Sequence, residues 1–256
     1  MNDPGRPRRR LTGGSVDASL TAPQEAAMHT IRFPNETPQY RKARNELLEA
    51  EKDLRQEVER VAALRRKLPL GGAVPQDYVF DEGEEGKARP VKLSELFEPG
   101  KDTLVVYSFM YGPEMKRACP LCTSILDSLD GAAPHVSQRV NVAVVAKSSI
   151  ARIREFARER GWRRLRLLSS AGNPYNRDYH GEKADGAQIP AMNVFVKRDG
   201  QVHHFWNSEL FYAPAEGGQD ARHVDLIWPL WNVLDLTPEG RGVDFYPRLS
   251  YEMVQK

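Results

Sequence analysis

The stretch "TLVVYSFMYGPEMKRACPLCTSIL", residues 103–126, holds both cysteines of the chain, spaced Cys119-Pro-Leu-Cys122. Residues 103–110 form an apolar run of strand length. From Pro120 to Leu129, Ile125, Leu126 and Leu129 share one face of a helix, which Gly131 is expected to end. A strand therefore leads into Cys-x-x-Cys at the start of a helix. With Cys119 as N-cap, Pro120 falls at the first helical position, where its missing N–H costs nothing and its fixed φ suits the turn. The free N–H groups and positive end of that helix stabilise a thiolate on Cys119, with Lys116 and Arg117 as a secondary aid. Cys122, one turn in, keeps the higher pKa and is placed to resolve a mixed disulfide on Cys119.

The elements on either side extend this unit. Residues 77–82 read as a short strand, 91–100 as a turn of helix closed by Pro-Gly, and 139–148 as a second buried strand. A helix follows over 148–161, with Ser148 or Ser149 at its start and Gly161 just past its end. "RLRLLSS" reads as a further short strand, and 170–188 as a polar loop too long for a plain connector. "IPAMNVFVKRDGQVHHFW", 189–206, then gives two strands, Met192–Val196 and Gln201–Trp206, joined through Asp199-Gly200, a hairpin signal. "RHVDLIWPLWNVLDL" closes the series as an aromatic-rich helix that Pro229 starts or kinks. The order is that of an α/β domain with parallel strands, helical crossovers and an antiparallel edge.

Upstream, residues 36–68 contain no Gly, and the only Pro is Pro38. Tyr40, Ala43, Leu47, Ala50, Leu54, Val61, Leu64 and Leu68 fall at spacings of three and four, broken only around Glu57 and Val58. This is a long amphipathic helical arm. Docking on its own domain is the ordinary use of such a seam, and a homodimer through the helix is the competing one. The expected organisation is a disordered basic tail over 1–35, the arm over 36–70, a domain over 71–245 and a C-terminal tail over 246–256. "RPRRRL" near the start is followed by Gly, Ser, Asp and Pro where an export signal needs an apolar core, so a cytoplasmic chain is expected.

Composition narrows the function classes. The chain is 40% hydrophobic and 28% charged with a net charge of +2, too balanced to argue for nucleic acid, and it has no apolar run long enough for a bilayer. With only two cysteines it is not a disulfide-stapled scaffold, so the pair points to catalysis, redox sensing or metal binding.

The chain resembles the thioredoxin superfamily in carrying Cys-x-x-Cys at a strand tip and helix N-terminus, with Ile189-Pro190 ahead of a hairpin. It is similar, more narrowly, to the bacterial domain-of-unknown-function family 899, on the motifs "YRKARNELLEAEKDLRQEVERVAALRRKLP", "VKLSELFEPGKDTLVVYSFMYGPEMKRACPLC", "LLSSAGNPYN" and "LWNVLDLTPEGRG". The resemblance implies a thioredoxin-like fold, a central mixed sheet flanked by helices. It also implies dithiol-disulfide oxidoreductase activity on a protein or small-molecule thiol or disulfide, with no bound organic cofactor. It further implies a cis bond at Pro190, whose role is to present the Ile189 backbone to an extended substrate. Pro-Leu between the cysteines replaces the usual Gly-Pro, so no redox potential carries over.

Other chemistries fit the residues less well. Structural zinc needs a second ligand pair that the chain lacks. A copper site would combine Cys119 and Cys122 with His204 or His203, in the manner of thioredoxin-fold copper chaperones, although those separate their cysteines by three residues. Peroxidatic chemistry calls for Thr-x-x-Cys, and Lys116 stands three before Cys119. A redox-sensing scaffold dimerising through the arm is the remaining alternative. Asn173 and Tyr175 are weaker candidates for substrate contact. His29, His135, His180 and His223 are expected at the surface or in packing, and Trp206, Trp228 and Trp231 in the core.

Overall fold

The computed structural model describes residues 31–83, 86–214, 217, 225–240, 242 and 245–250, so the expected tail over 1–30, His29, His223 and residues 251–256 lie outside the described residues. The chain falls into two units that divide between Lys67 and Leu68. The first contains helix α1, Pro38–Arg66. Thr37 caps it, its hydroxyl accepting the Tyr40 N–H at 3.1 Å, Pro38 occupies the first turn, and Arg65 and Arg66 complement the dipole at the far end. No residue of α1 is buried, and Leu47, Leu54 and Leu64 of its apolar seam are exposed.

The second unit is built on a seven-stranded sheet. Its strands are β1 (Val79–Glu82), β2 (Arg89–Lys92), β3 (Thr103–Phe109), β4 (Asn141–Ala146), β5 (Leu167–Ser169), β6 (Ala191–Arg198) and β7 (Gln201–Asn207), in the spatial order β2-β1-β5-β4-β3-β6-β7. β3, β4 and β5 run parallel, while β6 and β7 extend one side and β1 and β2 the other as antiparallel pairs. Helix α2 (Pro120–Val136) crosses from β3 to β4 and α3 (Ile150–Arg160) from β4 to β5. This is the thioredoxin-like α/β fold, with parallel strands and crossovers beside an antiparallel hairpin. At that hairpin Asp199 and Gly200 both take positive φ, 51° and 81°, the pair that a two-residue turn matching strand twist requires.

Alternation along the strands divides the core between the two sheet faces. Leu104 and Val106 of β3 pack with Val145, Leu168, Phe195 and Tyr175. Tyr107 and Phe109 point the other way and pack with Cys122, Ile125, Leu126, Val144 and Ile153. Two indoles tie α2 down on this second face. The Trp162 Nε1–H donates to Asp127 at 2.8 Å, and the Trp228 Nε1–H donates to Ser124 at 2.8 Å. Trp228 opens helix α5 (Pro229–Leu234), which Pro229 starts rather than kinks.

Several sequence expectations need correction. Helix α2 runs through Gly131 to Val136 and even includes Pro134. One interior glycine costs only about 1 kcal/mol, less than the burial of the Ile125, Leu126 and Ala133 side chains supplies. β2 is an addition to the sequence reading, which puts Val91 and Lys92 in the turn of helix that begins at Leu93; it is an edge strand, where the missing donor of Pro90 is tolerated. The loop over 170–188 contains a helical turn, α4 (Tyr175–Asp178), whose Tyr175 and Asn176 are fully buried. The Ile189–Pro190 bond is trans, since no described peptide bond is cis. Trans is the intrinsically favoured isomer, and in it the Ile189 N–H already donates to the Gly181 carbonyl at 3.0 Å as the chain enters β6.

Asp130 of α2 fixes the loop into β5: one carboxylate oxygen accepts the backbone N–H groups of Arg163, Arg164 and Leu165 at 2.9, 2.7 and 3.2 Å. Asp130→Ala leaves those donors without an acceptor and should cost about 3 kcal/mol, with Asp130→Asn losing less. Urea unfolding measures both, and an unchanged midpoint for Asp130→Ala would refute this role.

Candidate functional site

Strand β3 ends at Phe109, and the chain must make a loop before Cys119. The Cys119 N–H donates to the Met110 carbonyl at 3.1 Å, which closes that loop and sets Cys119 beside the strand end. The intervening carbonyls are taken up from α3 and the residues before it. Ser148 donates its N–H to Tyr111 at 2.9 Å and its hydroxyl to Gly112 at 3.1 Å. The Arg152 guanidinium donates to Gly112 at 3.2 Å, to Pro113 at 3.0 Å and to Met115, and lies over the Tyr111 ring with 4.4 Å to the centroid. Gly112 is needed for a close approach, since a Cβ there would meet the Gln188 side chain at 2.9 Å.

Cys119 takes the N-cap position of α2 with extended backbone, and Pro120 is the first helical residue. Its carbonyl accepts both the N–H and the hydroxyl of Thr123, at 3.0 and 2.9 Å. Both thiols are free. Cys119 is 9% exposed and Cys122, one turn in, 2%. Their environments separate them. A hydrogen bond from the Cys122 thiol is the largest influence on Cys119 and outweighs burial, bringing its pKa down from 9.0 to about 6. The N–H groups of Leu121 and Cys122 face the sulfur without closing a geometric cap bond, and they too favour the thiolate. Burial pushes the Cys122 thiol well up, and its bond to Cys119 adds to that.

Two tyrosines complete the group. Tyr107 of β3 lies beside Cys122, fully buried, and burial pushes its pKa well above the ordinary phenol value. The Tyr246 hydroxyl is 3.9 Å from the Cys119 sulfur, and burial followed by the charge of Cys119 pushes Tyr246 up to about 12. Tyr246 belongs to a segment, residues 245–250, that the sequence reading sets at or beyond the domain edge. That segment is anchored by Phe245 against Trp231, centroids 6.0 Å apart, and by Arg160 donating to the Leu249 carbonyl at 2.9 Å. With Met110, Met115, Arg117 and Cys119 it lines a pocket of about 530 Å³.

The remaining sequence candidates sit elsewhere. Pro190 is buried and Ile189 half-buried, one step beyond the Ser108–Ala191 pair at the same end of the sheet, but neither lines the Cys119 pocket. His203 bonds the Gly71 carbonyl at 3.2 Å, and His204 bonds Asn193 at 3.1 Å between the Tyr179 and Phe195 rings. His204 pairs with Phe195, four residues along β6 from Ala191, which puts it roughly 13 Å along the sheet from the cysteine end. The alternative union of these histidines with the cysteines is therefore not formed, and among the described residues no three His, Cys, Asp or Glu side chains group to hold a metal ion. Asn173 bonds the Val79 carbonyl and the Tyr175 N–H, and Tyr175 is in the core, so both are structural. His180 and His204 instead line a second cavity, of about 550 Å³, on the opposite sheet face with Asp178, Tyr179, Glu209 and Tyr212.

A family model described as "Bacterial protein of unknown function (DUF899)" matches residues 30–255. The chain belongs to the DUF899 family. No curated protein matches it in sequence. Among solved structures, the DUF899 chain is similar to a peroxiredoxin-like protein from Aquifex aeolicus, 16% identical over 55% of this chain and 75% of that one, TM-score 0.39. It is also similar to Enterococcus faecalis AhpC, at 13% identity over 64% and 91%, TM-score 0.42. Peroxidoxin BcpB from Mycobacterium tuberculosis gives 15% over 65% and 98%, TM-score 0.41. These scores are too low to carry an argument about chemistry. No helix among the described residues is long and apolar enough to cross a membrane.

The pair should titrate with its first thiolate on Cys119. Thiolate absorbance of the reduced DUF899 protein is expected to rise through a midpoint of about 6. The rise should be lost in Cys119→Ser and displaced upward in Cys122→Ser, which removes the thiol donor. Alkylation of Cys119 should fall about tenfold per pH unit below that midpoint. A midpoint near 9 in the wild-type protein would contradict the assignment.

Proposed function

We propose that the protein is a dithiol-disulfide oxidoreductase. The observation that carries this reading is geometric: one thiol at a helix N-cap opens to a pocket while the second stands buried one turn behind it. In the proposed cycle the Cys119 thiolate attacks one sulfur of a substrate disulfide. The S–S bond breaks, the departing thiolate takes a proton, and Cys119 is left in a mixed disulfide. Cys122 then loses its proton and attacks the Cys119 sulfur. The second substrate thiol leaves, and two electrons have passed from the protein dithiol to the substrate.

Each residue has one task in this scheme. The α2 N-terminus and the Cys122 thiol hold negative charge on Cys119. The Tyr246 hydroxyl is within reach of the same sulfur and suits proton delivery to a leaving thiolate. Burial keeps Cys122 protonated, and so unreactive, until Cys119 is engaged. Exchange between sulfurs requires no organic cofactor, and a cytoplasmic setting, where thiols are kept reduced, belongs to the same proposal.

The test is a redox titration of metal-free protein in glutathione buffers, with the thiols read by alkylation and intact mass. A reversible two-electron transition between about −120 and −300 mV is expected. Cys119→Ser should form no mixed disulfide, and Cys122→Ser should accumulate one on Cys119. Failure of the wild-type protein to form a Cys119–Cys122 disulfide would overturn the reading.

A further inference from the structure

We infer that the substrate of this site is a small disulfide bearing carboxylates, rather than a disulfide within a folded protein. The inference rests on the exchange chemistry proposed above. It is carried by the shape and charge of the pocket over Cys119.

Access comes first. The Cys119 side of the pocket is closed in by residues 246–250 of the chain itself, held by the Tyr246–Cys119 contact and by the Arg160 bond to Leu249. An extended polypeptide laid alongside Cys119 would have to displace that segment. The remaining space, about 530 Å³, is of the size that takes small molecules. With Cys119 only 9% exposed, a substrate sulfur must enter the pocket to reach it.

Charge comes second. Among the described residues the lining carries Arg117 and Arg248 and no carboxylate side chain. Neither arginine has an ion-pair or side-chain hydrogen-bond partner among the described residues, so both forks are free to receive a carboxylate. The positive end of the 17-residue helix α2 points into the same space. The cavity on the other sheet face shows the contrast: its described lining includes Asp178 and Glu209 and no Lys or Arg. Met110, Met115 and Leu249 supply an apolar wall for the methylene and sulfur portion of the ligand, and thioethers adapt readily to such a surface.

The experiment follows oxidation of the reduced full-length protein by three small disulfides of similar size: 3,3′-dithiodipropionate, 2-hydroxyethyl disulfide and cystamine. Each rate is divided by the rate of the same disulfide with free 2-mercaptoethanol, which removes intrinsic reactivity. The expected order is anionic, neutral, cationic, with about tenfold between the extremes at low salt and a gap that narrows as salt is added. Arg117→Gln/Arg248→Gln should collapse the anionic-to-neutral ratio, and Arg248→Glu should invert it; a ratio is insensitive to partial loss of folded protein. Insulin disulfides should react more slowly than dithiodipropionate. Equal normalised rates, a preference for cystamine, a ratio untouched by the arginine substitutions, or insulin reacting as fast as dithiodipropionate would each overturn the inference. If none of the disulfides reacts while Cys119 still alkylates, the exchange chemistry itself is refuted, a result distinct from loss of charge preference.

Discussion

The grip of Arg152 on the loop between β3 and α2 is the constraint from which the rest of the site follows. That loop has no regular secondary structure, yet it must set Cys119 against the end of a buried strand without leaving carbonyls unsatisfied. One guanidinium reaches the carbonyls of Gly112, Pro113 and Met115, and Ser148 takes those of Tyr111 and Gly112. A planar fork with several donors can do this, and a lysine ammonium cannot cover the same spread. The Tyr111 ring beneath the guanidinium offsets part of its loss of water. With the loop fixed, the Met110–Cys119 bond fixes the helix start, and the helix start fixes which sulfur meets the pocket.

Two cysteines one helical turn apart end up with opposite acidities, and nothing intrinsic to the side chains distinguishes them. Cys119 has the helix end and a thiol donor working for its charge, whereas Cys122 has burial working against it. The sheet extends the same separation to the two cavities. Alternation of side chains sends Tyr107 and Met192 to the cysteine face and Val106 and Asn193 to the other. One sheet thus carries an arginine-lined pocket on one side and a carboxylate-lined one on the other.

Much of the frame was legible in the sequence, because strongly apolar strands and capped helices announce themselves locally. β3, β4, α3 with its Ser149 and Gly161 ends, and the Asp199-Gly200 hairpin all follow from periodicity and turn chemistry. So does the N-cap position of Cys119. What escaped depends on long-range packing. Arg152 looks like any other arginine on an arginine-rich helix, and nothing in its neighbours marks it as the loop's donor. β2 is only four residues long and runs straight into a helical turn, and α2 outran Gly131 because tertiary burial overrode a local stop signal. Pro190 was matched to a role by position in a motif, while the structure leaves it off the pocket wall. Residues 246–256 are read from the sequence as a tail, although the run "FYPRLS" over 245–250 carries two adjacent aromatics of the kind that pack.

Helix α2 carries both sulfurs and is held by two indoles, Trp162 through Asp127 and Trp228 through Ser124. Trp162 also stacks edge-on against Phe109, the last residue of the strand that leads to the cysteines, with centroids 5.8 Å apart. The first two turns of α2 thus share hydrogen bonds with both tryptophan rings, so a displacement of those turns would alter the surroundings of both. The surroundings of these two indoles are thereby set by the position of the very helix that bears the sulfurs.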